Sequence, residues 1–370
     1  MKSQHRKIRY GVIGLGHLAQ TAVLPAFAQA HSNSTLCALI TGDPSKAKKL
    51  AAQYQVKGVY GYEDFDKLLD DDLIDALYIA LPNHLHFKYA LRALEAGLHV
   101  LCEKPLTTSV KKAELLKKFS EKNDCKMMTA YRLHFEPANL KVIDICRSGD
   151  LGELKYFSSD FSFQVKDPQN IRLRKETVGG TLWDIGIYCI NAVRNIYEAE
   201  PIEVFAFAGQ GKDARFREVE ESVSAVLKFP NDRLATFTCS FGASPASRFQ
   251  VYGSKGGLTL ENAYEIKNPR QLLTTMNGKE RHTEFKSVDQ FAPQLTYFSN
   301  CILKNELVEP SVEEGLADVR VIKALYKSIE KGKPVQMKPE TLKKERPTMK
   351  MRASYPAIEE PRVFNAKAAH

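Results

Sequence analysis

The sequence predicts two folded domains: an α/β domain on a parallel, doubly wound sheet, then an α+β domain on a mostly antiparallel sheet. Three observations predict this. Over the first 130 residues, short apolar runs alternate with helical stretches at the spacing of right-handed crossovers. A glycine turn, Gly14-Leu15-Gly16-His17-Leu18-Ala19, joins the first apolar run to the first helix. From Leu151 onward apolar runs follow one another across turns, with few helices between them.

In order, Arg9-Tyr10-Gly11-Val12-Ile13 is a strand that runs straight into the glycine turn. The turn fits the G-x-G-x-x-G/A fingerprint of a dinucleotide site. Gly14 permits the tight bend, Gly16 lets backbone approach a pyrophosphate, and small Ala19 allows helix to pack closely on strand. Leu15, His17 and Leu18 fill the turn, and the helix it opens runs through Ala30 with its first amides facing the phosphates. Leu36 to Thr41 is the second strand, and Pro44 to Tyr54 is a helix opened by Asp43. Ala76 to Leu81 is a strand, Leu85 to Ala96 a helix, Ser109 to Asn123 a helix, and Lys126 to Thr129 a strand. Lysine pairs at 111/112 and 117/118 read as a solvated helix face.

Between the last two helices lies Gly97-Leu98-His99-Val100-Leu101-Cys102-Glu103-Lys104-Pro105. Its apolar run, His99 to Cys102, is too short for a helix and reads as a buried strand. The charged pair after it is expected outside the core. In an open parallel sheet ligands sit just beyond the carboxyl ends of strands. Glu103 and Lys104 are therefore expected where a cofactor meets its substrate. Taken alone, they also suit a surface salt bridge followed by a turn proline.

The end of the second strand separates NAD from NADP. An acid there suits the ribose 2′-hydroxyl of NAD, whereas a cation with room suits the 2′-phosphate of NADP. Here Thr41 takes the acid's position and Lys46 lies in the first turn of the next helix. Asp43, as the helix cap, is expected to point at backbone amides. A charge-assisted contact from Lys46 to phosphate is worth about 1.5–3 kcal/mol, enough to favour NADP. The plainer alternative leaves Lys46 as one more exposed lysine.

Composition excludes several classes. At 370 residues, 44% hydrophobic and 26% charged, the chain suits two domains with real cores. No apolar run approaches the roughly 18 residues of a membrane span. Met1 to Arg9 is polar and basic and reads as no secretion signal. Seven cysteines without a C-x-x-C pair argue against a disulfide frame or a zinc site, and reduced thiols point to the cytoplasm. Residues 331–370 hold ten Lys/Arg against four Asp/Glu, six of the nine net positive charges. A nucleic-acid-binding domain concentrates charge on a folded face, so neither nucleic acid nor membrane is an expected partner. No carboxylate–histidine cluster suggests a metal.

In the second half, strands are expected at Leu154 to Phe163, Ile202 to Ala208, Ser222 to Phe229, Leu234 to Ser240, Phe249 to Tyr252 and Leu258 to Leu260. Late helices, Phe291 to Lys304 and Val312 to Lys331, close the globule. One helix interrupts the strands, from Gly179-Gly180 through Thr181-Leu182-Trp183-Asp184-Ile185-Gly186-Ile187-Tyr188 to Tyr197. Asp184 and Tyr188, four apart, are expected on one helical face. The two glycines let other groups come close. Without a partner such as Lys104, this would be a capped helix with a half-buried tyrosine.

Five motifs occur in order: Gly14 to Ala19, Leu81-Pro82-Asn83-x-Leu85-His86, Glu103-Lys104-Pro105, Ala130-Tyr131-Arg132 and Asp184-Ile185-Gly186-Ile187-Tyr188. Together they resemble the glucose–fructose oxidoreductase/inositol dehydrogenase (Gfo/Idh/MocA) family, and within it the glucose–fructose oxidoreductase branch. The resemblance covers about Ile8 to about Val335. It implies a Rossmann domain, then an open-faced, mostly antiparallel sheet, with a nicotinamide-linked sugar site between them. It also implies Tyr62, Pro82, Asn83, Glu103, Lys104 and Arg132 as cofactor contacts, with Leu81, Leu85 and His86 in the same motif. That branch carries Ser or Thr and then Lys five residues later at the second strand, as Thr41 and Lys46 do here. Tyr188 stands where many members have histidine, which favours the sugar oxidoreductase branch. Two departures stand out: the branch's long N-terminal arm is not seen, and the stretch after Pro339 is additional.

A mechanism follows from Lys104 and Tyr188. Oxidising a sugar hydroxyl requires a base for the O–H proton while hydride leaves for the nicotinamide. A free tyrosine, pKa about 10, is a poor base at neutral pH. A lysine charge near 4 Å, at an effective dielectric of 20, contributes about 4 kcal/mol, which is roughly three pKa units. Tyr188 is then the acid/base, Lys104 tunes it, and Asp184 orients the sugar hydroxyl or Tyr188. Arg172 is a further candidate for substrate contact, unless Arg172, Arg174 and Lys175 are simply a solvated run. Cys102 reads as an inert buried thiol, and His86 as a packing or hydrogen-bonding residue.

The expected function is a cytoplasmic NADP-dependent oxidoreductase that converts an aldose to its lactone at the anomeric carbon, with coupling to a second sugar an option. The alternatives are a sugar-ketone reductase, a dihydrodiol dehydrogenase, or a catalytically silent NADP sensor. Expected boundaries are residues 1–130 for the dinucleotide domain, 131–339 for the substrate and oligomerisation domain, and 340–370 for a basic, proline-containing arm. That arm holds Met349, Met351, Tyr355, Ile358, Val363 and Phe364, more apolar anchors than a solvating tail needs. It is expected to dock, across a partner subunit, in a homodimer or homotetramer.

Overall fold

Apolar runs that each lead into a helix assemble the first sheet. The computed structural model describes residues 6–338, 347, 351, 355–359 and 361–368. Its first six strands are β1 (Ile8–Ile13), β2 (Ser34–Ile40), β3 (Gly58–Tyr60), β4 (Ala76–Ile79), β5 (His99–Glu103) and β6 (Met127–Ala130). They pair in the order β3-β2-β1-β4-β5-β6, every pair parallel. The connecting helices are α1 (Leu24–Gln29), α2 (Pro44–Tyr54), α3 (Phe65–Asp70), α4 (His86–Glu95) and α5 (Val110–Lys122). All residues of β4 are buried, as expected of a strand covered on both faces. The order reverses between β1 and β4, so their carboxyl ends form the switch point at which this architecture binds ligands.

The second sheet follows α6 (Pro137–Ser148). Its strands are β7 (Leu154–Ser162), β8 (Glu203–Gly209), β9 (Ser222–Lys228), β10 (Leu234–Ser240), β11 (Ala246–Gly253), β12 (Gly256–Glu261), β13 (Arg270–Met276), β14 (Lys279–Phe285) and β15 (Val335–Gln336). The order is β14-β13-β12-β11-β7-β10-β9-β8-β15, antiparallel except where β7 and β10 run parallel. One face of β9 and β10 is buried at every second residue. Helix α7 (Ile187–Tyr197) and the turn before it cover that face, where Gly186 lies against Phe237 and Cys239. The opposite face leaves Tyr156, Phe207, Val226 and Leu234 exposed.

The hairpin β13–β14 was absent from the expected strands, although Asn277-Gly278 between its arms is the strongest short hairpin signal a sequence carries. Asn277 and Gly278 both have positive φ, 51° and 71°, as that turn requires. The polar β14, Lys279–Phe285, hid the pattern. Strand β3 is three residues long and gives no periodicity to read.

After the second sheet come α8 (Ala292–Lys304) and α9 (Val312–Lys331). The first compact unit holds the described residues up to Arg132, residues 288–315, and the described residues between 353 and 368; the second holds 133–287 and the described part of 316–352. Helix α8 joins the first unit through Ser299, whose hydroxyl bonds both Tyr10 and Ser34 at 2.7 and 2.8 Å. The C-terminal segment is docked, as expected of it. Its described residues from 355 on lie on this chain's own dinucleotide unit, where Tyr355, Phe364 and Asn365 find hydrogen-bond partners, while Pro347 accepts a bond from Arg147 of the second unit. Of the arm's expected anchors, Met349 lies outside the described residues. Among the described residues no helix is long and apolar enough to cross a membrane. All seven cysteines are free thiols.

Candidate active site and cofactor site

The glycine turn sits at the switch point. Gly14 leaves β1 with φ +91°, and a Cβ there would lie 2.6 Å from the Ala80 carbonyl oxygen at the end of β4. Only glycine fits. Gly16 is exposed, with nothing within 4 Å of where its Cβ would be, so backbone is open to a phosphate. Leu15 and Ala19 are buried and His17 and Leu18 half-buried. The helix expected through Ala30 is instead a π-helical turn, Ala19–Val23, followed by α1. Pro25 explains the break: it has no N–H to continue an α ladder, and it sits in the first turn of α1.

At the end of β2, Thr41 is buried and its hydroxyl accepts the Asp43 N–H at 3.3 Å. Asp43 caps α2, as expected. Its Oδ1 accepts the Lys46 N–H at 2.9 Å and its Oδ2 accepts Nδ2 of Asn365 at 3.0 Å. These two bonds, the Lys46 amide first, hold the carboxyl below its ordinary pKa. The Lys46 side chain is half-buried beside it. The Tyr62 ring packs on Gly42, 3.2 Å from a Cβ there, and its burial pushes the phenol pKa up. Thr41, Asp43, Lys46 and Tyr62 thus meet at one strand end.

Beyond β4, Leu81 is buried, while Pro82, Asn83 and Leu85 are half-buried around the short turn Asn83–Leu85. His86 is buried, with Nδ1 2.8 Å from the Pro105 carbonyl and Nε2 2.7 Å from the Leu81 carbonyl. It therefore ties the turn after β4 to the turn after β5, a hydrogen-bonding role as the sequence suggested. Burial draws its pKa down, against the upward pull of those two carbonyls.

The Glu103-Lys104 pair does not lie wholly outside the core, as expected from sequence. Glu103 is only 7% exposed, and its Oε1 accepts the Tyr78 hydroxyl at 2.7 Å. Burial raises its pKa, while Tyr78 and the charges of Lys104 and Arg132 oppose that rise. Those three groups are what make the buried carboxyl tolerable. Lys104 itself is half-buried, and Arg132 is buried with its guanidinium on the Gln290 side-chain oxygen. Cys102 is fully buried, with its pKa pushed well up, so the thiol is inert.

In the second unit, Gly180 has φ +104° and opens a π-helical turn, Leu182–Gly186, before α7. The expected helix thus changes from π to α geometry between them: Asp184 lies in the π turn and Tyr188 in the first turn of α7. Asp184 Oδ2 accepts Nε of Arg172 at 2.5 Å, in a partly buried ion pair. Arg172 is accordingly no member of a solvated run, unlike Arg174, which reaches Glu218 and Gln169 at the surface. The Tyr188 ring lies 5.7 Å from that of Phe161 and 6.0 Å from that of Tyr264. Lys104 belongs to the first unit and Tyr188 to the second.

Two residues were missed. Glu220 accepts the Leu182 N–H at 3.1 Å and the Tyr326 hydroxyl at 2.8 Å, anchoring the π turn; its distance in sequence gave no signal. Gln20, fully buried, donates from Nε2 to the Leu15 carbonyl at 2.9 Å and so braces the glycine turn. An amide directly after Ala19 was the readable clue.

Residues 8–131 match the oxidoreductase family with an NAD-binding Rossmann fold, GFO_IDH_MocA, and residues 139–259 match the GFO/IDH/MocA C-terminal domain. A D-xylose 1-dehydrogenase [NADP(+)] of Haloarcula marismortui is 30% identical over 89% of this chain and 93% of its own. The chain belongs to the GFO/IDH/MocA oxidoreductase family. Among solved members, the aldose-aldose oxidoreductase of Caulobacter crescentus superposes with a TM-score of 0.86 at 33% identity, over 90% of this chain and all of that one. A 3-ketoreductase of Actinomadura kijaniata, solved with NADP and TDP-benzene, reaches 0.80 at 27% identity, over 87% of this chain and 98% of its own. That ketoreductase has also been solved with a lysine replaced by alanine and a tyrosine replaced by phenylalanine. Those two residues are as far apart in its sequence as Lys104 and Tyr188 are here.

Proposed function

We propose that the protein is an NADP-dependent sugar oxidoreductase acting at the anomeric hydroxyl of an aldose, with the lactone as product. The observation that carries the choice of cofactor is the commitment of Asp43. Both of its carboxylate oxygens already accept a bond, from the Lys46 amide and from Asn365, which leaves the acid at the end of β2 less available to a ribose 2′-hydroxyl. The Lys46 charge beside it suits a 2′-phosphate. The open surroundings of Gly16 suit the pyrophosphate. The relatives named for NADP and for aldoses support the same reading.

When bound, NADP+ supplies the hydride acceptor for the hydrogen on the anomeric carbon. The chain's residues handle the proton. Tyr188 takes it from the anomeric hydroxyl as the C–H bond breaks, and returns it to solvent afterwards. Lys104 contributes a cation to the same step. Asp184, fixed by Arg172, presents a carboxylate to a sugar hydroxyl and sets the ring's orientation. The lysine–tyrosine interval shared with the ketoreductase supports treating Lys104 and Tyr188 as one unit. It also supports a second reading, reduction of a sugar ketone, in which the same tyrosine donates its proton to the carbonyl oxygen. The enzyme is taken to work in the cytoplasm, as a homodimer or homotetramer formed through the uncovered sheet face.

The test is direct. Mixing the protein with NADP+ and a panel of aldoses should raise the absorbance of reduced nicotinamide. Turnover only with NADPH and a keto sugar would select the second reading. Tight NADP binding with turnover in neither direction would select a cofactor sensor.

A further inference from the structure

The described residues 355–359 and 361–368 lie on the first unit. Tyr355 shares a hydrogen bond with Thr296 at 3.0 Å and its carbonyl accepts the Asp289 N–H at 3.2 Å. The Pro356 carbonyl accepts Nε2 of Gln29 at 3.0 Å. Further on, Phe364 meets Gln20 twice: its N–H donates to Oε1 at 2.7 Å, and its carbonyl accepts Nε2 at 2.9 Å. Asn365 then donates to Asp43. The Phe364 ring carries Lys49 at 5.5 Å and Arg362 at 5.2 Å from its centre, which brings two more cations to this edge.

The last two residues reached, Gln20 and Asp43, adjoin the proposed dinucleotide site. Gln20 holds the Leu15 carbonyl of the glycine turn with the same amide that holds Phe364. Asp43 is the acid beside the cation expected to meet the 2′-phosphate. A carboxylate with one free oxygen can accept from a ribose 2′-hydroxyl and repels a phosphate. A carboxylate bonded at both oxygens keeps its charge but has fewer lone pairs left for that hydroxyl.

We propose that residues 361–368 are a working part of the cofactor site, in which Asn365 sets the preference for NADP over NAD by occupying Asp43, and Phe364 stiffens the glycine turn through Gln20. Both are positioning residues. The proposal rests on the reading of NADP as the cofactor, and it goes beyond it by assigning the preference to a segment more than 300 residues from the fingerprint, since Gln20 and Phe364 are 344 apart. The two contacts make different demands. Freeing Asp43 should discriminate between the cofactors, because only one carries the 2′-phosphate. Loosening the Leu15 turn should not, because both carry the pyrophosphate.

The experiment is a titration of the full chain and three variants with NADPH and NADH, read by nucleotide fluorescence, with dissociation rates from displacement by excess unlabelled nucleotide. Asn365→Ala, at an exposed position, should shift the ratio of the NADPH and NADH Kd values severalfold toward NADH, mainly by lowering the NADH Kd. Gln20→Leu should weaken both to a similar degree. A chain ending at residue 360 should show both effects and release NADPH faster. Circular dichroism and thermal midpoints confirm that each variant is folded. A ratio of the two Kd values unchanged in Asn365→Ala would overturn the assignment, as would a folded truncated chain that binds both nucleotides like the full one. If the full chain itself prefers NADH, the cofactor reading fails, and this proposal fails with it. A full chain that prefers NADPH while Asn365→Ala is silent removes the proposal alone.

Discussion

Two helices of this molecule begin in the same unusual way, and their differences are instructive. Each follows a turn containing a positive-φ glycine, Gly14 or Gly180, and each starts with a π-helical turn, Ala19–Val23 or Leu182–Gly186. Such turns recur at functional sites because they re-aim the residues after them. The first offers backbone: Gly14 and Gly16 carry no side chain, Gln20 faces inward, and the Thr21 hydroxyl donates to the His17 carbonyl. The second presents side chains, Asp184 and, at the start of α7, Tyr188. A phosphate, the same in every dinucleotide, is bound by backbone. A substrate whose proton must move needs groups that titrate or orient.

The test with the largest expected effect asks whether the second turn is chemical. Tyr188→Phe should lower kcat by at least about a hundredfold, the lower end of what a general acid–base supplies. The ring's packing on Phe161 and Tyr264 should be kept, so the thermal midpoint should hold. Lys104→Met should cost nearly as much, and the double variant little more, because residues acting as a unit are not additive. A Tyr188→Phe enzyme with more than about a tenth of the wild-type kcat would remove the tyrosine from the mechanism.

Next comes the cofactor side of the comparison, at the start of α2. Lys46→Glu should invert the cofactor preference by about ten- to a hundredfold, because it replaces a phosphate partner worth about 1.5–3 kcal/mol with a repelling charge. Relative affinities that stay the same would place the 2′-phosphate elsewhere. The third test returns to the side-chain turn. Arg172→Met leaves Asp184 without its cation, and kcat/KM should fall about tenfold, mostly through KM if Asp184 orients the sugar. Arg172→Lys should recover only part of this, since a lysine cannot reproduce the guanidinium geometry. A fall confined to thermal stability would make the pair purely structural.

The same contrast explains what could be read from the sequence. The parallel sheet and its cofactor turn were legible because their signals are local: glycine spacing, an Asp43 cap three residues before the Lys46 amide it accepts, and four-residue apolar runs such as β4. The side-chain site was legible only in part. Asp184 and Tyr188 stood out, but the role of Arg172 depends on a loop that folds back, and Glu220 reaches Leu182 from 38 residues away. The burial of Glu103 depends on Tyr78, one strand over in the sheet. A charged residue at a strand end reads as exposed until its partner is known. The C-terminal segment was legible as a docking arm, from its apolar anchors, though not its destination on its own chain.

The smallest expected effect probes the support behind the backbone turn. Asp289 is buried; its Oδ1 accepts the N–H groups of Phe291 and Ala292 at 2.8 and 3.2 Å, and its Oδ2 accepts Nε2 of Gln29 at 3.1 Å. Burial outweighs those bonds and pushes its pKa up to about 6. The folded value lies above the unfolded one, so the folded state binds the proton more tightly. The stability this contributes is complete below about pH 4 and is lost as pH rises through about 6. Between pH 7 and 5 the wild type should therefore gain about 1 kcal/mol relative to Asp289→Asn, which keeps an acceptor for the two amides but does not titrate. Urea midpoints of the two proteins at each pH measure this, and every other titrating group cancels in the difference. A difference that stays flat from pH 7 to 5 would mean that the carboxyl is charged throughout. The ends of α1 and α8 and the carbonyls of the C-terminal segment would then be held around a fixed charge, and the dinucleotide unit would resemble the side-chain turn more than the backbone one.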